Sequence, residues 1–478
     1  MTLNLGLRWD VQTAPTDPLN RVVNYEPGKK SVVIPTAPVG ALFFGDPGIE
    51  RAGIPTSYTH FSPRIGFAWD VAGDGKTSIR GAAGLFYGSI SGNEWNTMTN
   101  FQPFSTRLTF TNINQKTNAA GVPLGATLVN PYNAFVGGNP FPYKGTFTTG
   151  GGLFAVAPDF EWPRTYQMNA SVQRQVTKDL IVSGGYVGTL ARKLPFGRDV
   201  NYPVVTPTAT ASGANILARR PNPLFGAVLE LDSDQEASYH GLQITSAMRM
   251  SHHVTFNAFY TYSKTRSSVQ LHNSTTQGLA QNYSNLAEDE GAADTDQRHI
   301  FSMSLTYRPD YFSKNSNAVL RHVFNGWSIA PIIKLRSGLP FTVTNGNVDA
   351  NLDGNTNDRA RLVGDPHLDH PTAARWFNTA AFQQNPVVTG VATDGNSARN
   401  LLYGPSYNTV DLALSRDFSL TERVKLRFRA EATNAFNQVN LGQPGASVPA
   451  NGSTSASFGV ITSASAMRKM QFGLRLTF

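Results

Sequence analysis

The sequence contains no cysteine, which excludes disulfide bonds, thiolate metal sites and cysteine nucleophiles. It also lacks a run of about 18 consecutive apolar residues, the length that a transmembrane helix needs. The formal net charge is +8, yet lysine and arginine are dispersed singly and form no basic run. Because nucleic acids are bound through concentrated basic patches, we expect no nucleic-acid partner.

Motifs of catalysis are missing as well. We find no Gly-x-Ser-x-Gly nucleophile elbow, no His-Glu-x-x-His pair and no glycine-rich phosphate loop that ends in lysine. Histidines occur on or near the segments that we interpret as strands, at His240, His252, His253 and His299. His252 and His253 fall in a predicted short turn, where solvent would surround them. The sequence therefore predicts a protein that is not an enzyme.

The apolar residues, 40% of the chain, are diluted by 43 glycines and 29 prolines, and only 15% of the residues are charged. As a soluble protein, a chain of this length would be expected to form two to four domains. Alternation along β-strands is another use for dispersed apolar residues, because successive side chains of a strand point to opposite faces. An alternating pattern would therefore indicate a sheet with one apolar and one polar face.

Such alternation occurs in about twelve segments of roughly 9–11 residues or slightly more, the length of tilted membrane strands. Segments 77–88, 179–191 and 323–337 are interrupted by glycine and alanine, and the others are clearer. The predicted outward sets are Leu3/Leu5/Leu7/Trp9/Val11, Ile65/Phe67/Trp69, Tyr166/Met168/Ala170/Val172, Leu242/Ile244/Met248, Val254/Phe256/Ala258/Tyr260/Tyr262, Phe301/Met303/Leu305/Tyr307, Val410/Leu412/Leu414, Val424/Leu426/Phe428/Ala430/Ala432 and Met470/Phe472/Leu474/Leu476/Phe478.

The connections between these segments alternate between long and short. Long stretches rich in Asn, Gly and Pro cover 12–61, 89–162, 192–235, 267–296, 338–405 and 437–466, whereas short links cover 72–76, Lys178, 251–252, 310–322 and 419–421. Soluble sheets alternate too, but only transmembrane barrels have a reason to place every long connection at one rim. Strands in hydrocarbon must also bond all their backbone groups to neighbours, which requires a closed barrel.

We therefore predict an all-β fold, a transmembrane antiparallel up-and-down β-barrel domain over residues 1–478. It would have long extracellular loops, short periplasmic turns and both termini in the periplasm. Aromatic residues near strand ends fit the interfacial girdles of such barrels: Trp9, Trp69, Tyr87, Tyr262 and Tyr307. The outward face would contact outer-membrane lipid and lipopolysaccharide, which predicts a bacterial outer-membrane location.

The C-terminal third carries more specific motifs. Residues 403–405 read Tyr-Gly-Pro, residues 411–418 read Asp-Leu-Ala-Leu-Ser-Arg-Asp-Phe, and residues 428–437 read Phe-Arg-Ala-Glu-Ala-Thr-Asn-Ala-Phe-Asn. Residues 458–463 and 468–478 complete the pattern, and upstream the segments 61–70, 325–327 and 337–341 match it too. In their order and spacing, these motifs resemble those of the TonB-dependent transporters of the Oar-like type.

The resemblance implies a barrel of about 22 strands with a plugged lumen, powered from the inner membrane. Family members carry a carboxypeptidase-regulatory-like domain, a TonB box and a plug ahead of the barrel. This sequence begins with a barrel strand and no signal peptide, so we expect it to hold the C-terminal part of the barrel. Contact with the TonB complex would then depend on the missing plug. The terminal Phe478 resembles the signal by which the outer-membrane assembly machinery recognises its clients.

One stretch, residues 349–358, suggests a calcium loop of the EF-hand type. Oxygen-bearing side chains recur at alternating positions and glycine stands sixth, as this loop requires. The candidate ligands are Asp349, Asn351, Asp353, Asn355, Asn357 and Asp358. The position of the bidentate glutamate is taken by Ala360, and a solvated Asn/Gly-rich hairpin tip is the alternative. A bound Ca²⁺ would stiffen an extracellular loop, and we expect no other cofactor.

Two further groups of residues bear on function. Charged side chains predicted to face the lumen would either line a substrate path or form ion-pair ladders: Arg8, Arg64, Asp70, Arg80, Asp411, Lys425, Arg427, Arg429, Glu431 and Arg475. Aromatic residues of the long loops would either pack those loops or contact ligand: Trp95, Phe101, Phe104, Tyr132, Phe135, Trp376 and Phe377. The substrate class stays open, because carbohydrate, chelated metal, peptide and protein all suit such surfaces.

Two hypotheses compete with the transporter. An autonomous barrel of about twelve strands would serve as a passive pore or a structural envelope protein, and it would pair segment 2–11 with segment 467–478. A secreted β-sandwich adhesin would also contain alternating strands, but it would be soluble.

Overall fold

The computed structural model describes residues 1–90, 92–105, 132, 147, 149–251, 253–268, 280–313, 317–421 and 423–478. Its strands, in chain order, are β1 (Thr2–Gln12), β2 (Val23–Tyr25), β3 (Ala41–Phe43), β4 (Ser57–Asp70), β5 (Thr77–Tyr87), β6 (Gly151–Val156), β7 (Arg164–Gln175), β8 (Leu180–Asp199), β9 (Phe225–Ser251), β10 (Val254–Ser267), β11 (Gly291–Ala292), β12 (His299–Tyr307), β13 (Trp327–Arg336), β14 (Pro340–Phe341), β15 (Arg361–Leu362), β16 (Phe382–Gln383), β17 (Leu402–Tyr403), β18 (Tyr407–Ser419), β19 (Lys425–Thr433) and β20 (Lys469–Thr477).

Helices are short and lie in the connections. They are α1 (Gly92–Thr97), α2 (Gly213–Arg219) and α3 (Ala318–Phe324), with 3₁₀ turns at Leu286–Asp289 and Thr379–Ala381. Among the described residues, none of the helices has the length and apolar character needed to cross a membrane.

One antiparallel sheet dominates the described part of the chain. Twelve long strands follow one another in the order β1-β4-β5-β7-β8-β9-β10-β12-β13-β18-β19-β20, each hydrogen-bonded to the next. The short β11 adds to β10, and β6 runs parallel to the start of β9. Apart from short elements inside the loops, every strand therefore pairs with its successor. This meander confirms the predicted all-β, up-and-down architecture.

The register of the sheet brings the predicted apolar sets onto one face. Leu5 lies opposite Ile65, Ile65 opposite Ala83, and Ala83 opposite Met168. The same holds at the other end of the sheet, where Leu414 lies opposite Ala430 and Ala430 lies opposite Phe472. A slip of one residue in any pair would turn polar side chains to the apolar face. The alternation predicted from the sequence is thus consistent across all twelve strands.

The two end strands each have a single partner among the described residues. β1 pairs with β4, and β20 pairs with β19. The pairing of β1 with β20, which an autonomous twelve-stranded barrel requires, is not formed between these fully described strands. The outward side chains of both edges are solvent-exposed apolar residues, for example Leu5 and Leu474.

Several predicted boundaries were wrong; β4, for example, begins at Ser57, inside the connection assigned to 12–61. Both ends of the connection assigned to 192–235 are sheet, because β8 and β9 continue to pair as far as Asp199 opposite Leu229. This extension is stabilised by loop packing, since Val228 and Leu231 are fully buried there. The link at 310–322 contains the start of α3, whose first turn is capped by the side chain of Asn317 on the Val319 amide. The strand predicted over 323–337 accordingly begins at Trp327.

The hydrophobic core lies in the long connections. The buried apolar clusters contain residues of β2, β3, β6, the loops and the extensions of β8 and β9, including Phe43, Phe101, Phe154, Phe225 and Phe377. The apolar residues of the twelve-stranded wall face outward instead. A soluble protein would bury such a face, so this distribution indicates that lipid covers the wall.

A charge on the apolar face should therefore destabilise the protein more than the same charge on the polar face. Met303 in β12 lies between Ala258 and Ile333 on the apolar face, and its neighbour Ser304 points to the polar face. We expect Met303→Arg to lower the free energy of unfolding in lipid by about 2–4 kcal/mol. Urea titration of the refolded protein in vesicles, followed by tryptophan fluorescence, measures this change. Ser304→Arg is the matched control, and an equal loss in both variants would contradict the assignment of the faces.

Candidate functional site

The middle of the polar face is uncharged. Strands β7 to β10 and β12 present hydroxyl and amide side chains there, which are Gln167, Asn169, Ser171, Ser183, Gln243, Thr245, Asn257, Thr261, Ser302 and Ser304. Neighbouring members bond across the strands, as Ser183 Oγ does with Thr245 Oγ1 at 2.6 Å. This surface can donate and accept hydrogen bonds without attracting ions of either sign.

Charged residues flank this middle part, and most of them are paired. On the β18–β19 side, Arg427 binds Asp417 through two nitrogens at 2.6 and 3.0 Å, and Arg429 lies 2.5 Å from Glu431. Lys334 lies 3.7 Å from Asp411. The predicted ion-pair ladder is thus present on this flank. Exposed pairs of this kind contribute little stability, so their main effect is to neutralise the polar face.

The opposite flank, on β1, β4 and β5, uses other contacts. Arg8 lies 2.7 Å from Asp10, and the Arg64 guanidinium stacks over the Phe86 ring at 4.5 Å. Arg80 donates to Ser78 Oγ at 3.2 Å. Asp70 closes the short turn after β4, because its carboxylate accepts from the amides of Gly73 and Gly75.

The aromatic residues predicted in the loops pack those loops together. Phe101 and Phe377 are buried in two different clusters. Trp95 Nε1 donates to the Ala52 carbonyl at 3.0 Å, and Trp376 Nε1 donates to the Tyr403 carbonyl at 2.8 Å. Of the remaining three, Phe104 contacts Phe43 edge to face, Tyr132 is half-buried, and Phe135 lies outside the described residues.

The long connections also bind one another through buried polar groups. Arg359 forms an ion pair with Asp289, and both side chains are almost fully buried. Arg399 donates to the main-chain carbonyls of Asp289 and Ser267 at 2.7 and 2.8 Å. These contacts join the connection after β10 to the connection after β14. The described parts of these connections therefore form one packed layer, rather than separate tips.

The segment 349–358, which the sequence suggests as a calcium loop, lies inside this layer. Asp353 and Asp358 are 2% and 0% exposed, and Asp349 and Asn351 are also buried. The carboxylates of this segment are therefore buried, whereas Gly354, Asn355 and Thr356 at its tip are exposed. Main-chain amides donate hydrogen bonds to the carboxylates. The Asp349 carboxylate accepts from the amides of Asp353 and Gly354 at 2.9 and 3.0 Å, and the Asp358 carboxylate accepts from the Ala350 amide at 2.6 Å.

These carboxylates are buried without a basic partner. Burial raises the pKa of Asp353 to about 6 and that of Asp358 to about 7, and it raises the pKa of Asp349 as well. Among the described residues, no lysine or arginine nitrogen forms an ion pair with any of the three. Nor do three His, Asp or Glu side chains converge as a ready metal site anywhere in that part of the chain.

Residues far away in sequence complete the surroundings of this segment, and sequence reasoning missed them. Tyr202 Oη donates to Asp353 at 3.2 Å, and Arg219 donates to the Leu352 carbonyl at 2.5 Å. Asp394 accepts from Asn351 and from Asn282. No local spacing links these residues to 349–358, so no signal in a single sequence could have identified them.

Loss of an aromatic residue from the loop core should loosen the loop layer and leave the wall intact. Phe377 is 2% exposed and contacts the rings of Phe341, Phe382 and Phe458. We expect Phe377→Ala to destabilise this layer by about 3–5 kcal/mol through the cavity that it leaves. Limited proteolysis should then cut within 338–405, while the β-sheet circular dichroism stays unchanged. Val388→Ala, at a 44% exposed position of the same connection, is the control and should behave as wild type.

Comparison with known proteins agrees with this architecture. A family model described as an outer membrane beta barrel domain matches residues 1–471. No curated protein sequence matches the chain significantly.

Solved structures of outer-membrane transporters are similar in fold. The transporter YddB from Escherichia coli aligns with a TM-score of 0.46 at 10% identity, over 89% of this chain and 41% of that one. The FrpB iron transporter from Neisseria meningitidis (F3-3 variant) aligns with a TM-score of 0.41 at 10% identity, over 87% and 39%. The ferripyoverdine receptor of Pseudomonas aeruginosa aligns with a TM-score of 0.42 at 9% identity, over 88% and 33%. The chain thus spans less than half the length of these proteins.

Proposed function

Because the chain belongs to the outer membrane β-barrel domain family, we propose that it is part of the barrel of a TonB-dependent receptor that takes up a substrate across the outer membrane. Its location in the bacterial outer membrane follows from the family. The protein would belong to the Oar-like type, on the motifs between residues 403 and 478. The segment that couples to the TonB complex would be a plug outside this chain.

The unpaired edges of the sheet are the observation that carries this proposal. Among the described residues, β1 and β20 each leave one row of backbone donors and acceptors without a strand partner, and their outward side chains are apolar. In lipid these backbone groups must be bonded, so further strands have to lie between the two edges. Another ten or so strands would complete a barrel of about 22, the size at which the lumen accommodates a plug.

The two faces of the wall support the same function. The polar face would line a lumen whose middle is rich in hydroxyl and amide groups, suited to hydrogen-bond a plug or a passing polar substrate. The packed loop layer would cover the outer end of this lumen. Lipid and lipopolysaccharide would contact the apolar face, and the final strand with Phe478 would be the part that the assembly machinery recognises.

Cross-linking can test whether other strands separate the two edges. Because the chain has no cysteine, introduced cysteines are the only reactive thiols within it. In the outer-membrane protein that carries this sequence, Leu5→Cys combined with Met470→Cys or Leu474→Cys should give no intramolecular cross-link with a short bismaleimide. The control pair is Ala430→Cys with Phe472→Cys, which lie opposite each other and should cross-link. A cross-link between the edges would support an autonomous barrel instead.

Conductance separates the gated receptor from a passive pore. We expect the purified outer-membrane protein that carries this sequence to show no steady current in a planar bilayer, because a plug fills its lumen. Treatment with urea at a concentration that unfolds the plug and leaves the sheet intact should open a current. A steady current without urea would indicate a passive pore, the second function that a polar lumen allows.

A further inference from the structure

The segment 349–358 is the meeting point of three long connections. From the connection between β8 and β9, Tyr202 donates to Asp353 at 3.2 Å. Toward the connection after β10, Asn351 Nδ2 donates to the Gln281 carbonyl at 2.7 Å, and Asn357 Nδ2 donates to the Ala280 carbonyl at 2.8 Å. Any ligand bound by this segment would therefore affect all three connections at once.

Carboxylates are concentrated at this meeting point, and none of them forms an ion pair with a lysine or arginine among the described residues. Asp349, Asp353 and Asp358 are buried, and Asp394 accepts from Asn351 close by. The guanidinium of Arg219 is near, but it is directed at the Leu352 and Val204 carbonyls rather than at a carboxylate. Buried carboxylates are normally paired with a base or bound to a metal ion, because burying an isolated charge is costly.

An unsatisfied oxygen gives independent evidence for a ligand. Asp358 is completely buried, and its Oδ2 accepts from the Ala350 and Asn351 amides at the start of the segment. Its Oδ1 has no hydrogen-bond partner, and neither has the buried Oδ1 of Asn357. A buried polar atom without a partner calls for a specific cause, such as an ion. Asp232, which is half-buried, differs because Arg198 lies 2.9 Å from it.

We propose that residues 349–358 bind Ca²⁺ and that the ion holds the three connections together. The side-chain oxygens of Asp349, Asn351, Asp353, Asn357 and Asp358, with the main-chain carbonyl of Asn355, form the ligand set. Asp358 supplies the buried carboxylate that Ala360 cannot provide. Each hydrogen bond from a main-chain amide occupies one lone pair of a carboxylate oxygen and leaves another lone pair for the metal.

The donor set favours calcium over magnesium. It contains only hard oxygen atoms, several of them from amides and the main chain, on a loop that is joined to its neighbours by hydrogen bonds. Ca²⁺ accepts six to eight such ligands in irregular geometry, whereas Mg²⁺ requires a near-octahedral set and retains water. Such a calcium site belongs to the loop layer alone and does not depend on TonB-coupled uptake.

Terbium luminescence tests the site in the folded outer-membrane protein that carries this sequence. Tb³⁺ replaces Ca²⁺ at oxygen sites, and Tyr202 lies within hydrogen-bond distance of Asp353, close enough to sensitise it. We expect bright emission on excitation of tyrosine, lost on addition of Ca²⁺ but not of equal Mg²⁺. Asp353→Asn and Asp358→Asn should each weaken binding at least about tenfold. Asp365→Asn, at an 80% exposed side chain of the same connection, is the control and should bind as wild type.

A second measurement uses the wild-type protein, so that its result does not depend on whether a variant folds. In the wild-type protein, removal of Ca²⁺ with a chelator should increase proteolysis within 192–235, 280–296 and 338–405 together, by about tenfold or more. The β-sheet circular dichroism should remain constant. The proposal would be overturned by wild-type protein that shows neither sensitised emission nor Ca²⁺-dependent protection. It would also be overturned if folded Asp353→Asn and Asp358→Asn variants bound Tb³⁺ as tightly as the Asp365→Asn control.

Discussion

The backbone hydrogen bond, in a solvent that offers none, is the constraint on which this structure depends. Each strand of the wall must bond its amides and carbonyls to neighbouring strands, because lipid cannot satisfy them. The register of every pair is then decided by which side chains can face lipid. Leu5, Ile65, Ala83 and Met168 lie in one row for this reason, and Gly6, Arg64 and Gly84 stay on the polar face. The same constraint is the reason why the edges of β1 and β20, which lack a second strand partner among the described residues, bear on the size of the barrel.

A wall that faces lipid on one side and a polar space on the other has no hydrophobic core of its own. The burial that usually stabilises a protein is accordingly found in the connections, where Phe43, Phe225 and Phe377 are enclosed. This division has a consequence for function. The loop layer can be changed or loosened without loss of the wall, because the two parts are stabilised by different interactions: side-chain packing in the first, backbone pairing in the second.

The wall could be predicted from the sequence because its pattern is local. Period-two alternation indicates which residues face lipid, and nearest-neighbour pairing follows from the short links, so most of the twelve strands needed little correction. The loop layer could not be predicted in this way. Tyr202 and Asp353 are 151 residues apart, and Asn351 and Gln281 are 70 apart. The extensions of β8 and β9 were missed for the same reason, since buried residues from other connections stabilise them. Only the oxygen spacing within 349–358 was visible locally.

Two ways of burying a carboxylate stand side by side in the loop layer. Asp289 is neutralised by Arg359, and this pair joins two connections permanently. Asp358 forms no ion pair with a base; one of its oxygens accepts from main-chain amides and the other has no hydrogen-bond partner. A guanidinium fixes its connection whenever the chain is folded, whereas an ion can be gained or lost. With Ca²⁺ bound at 349–358 as proposed, the pair of Arg359 and Asp289 would keep the loop layer attached to the barrel while the part around 349–358 responded to the cation concentration.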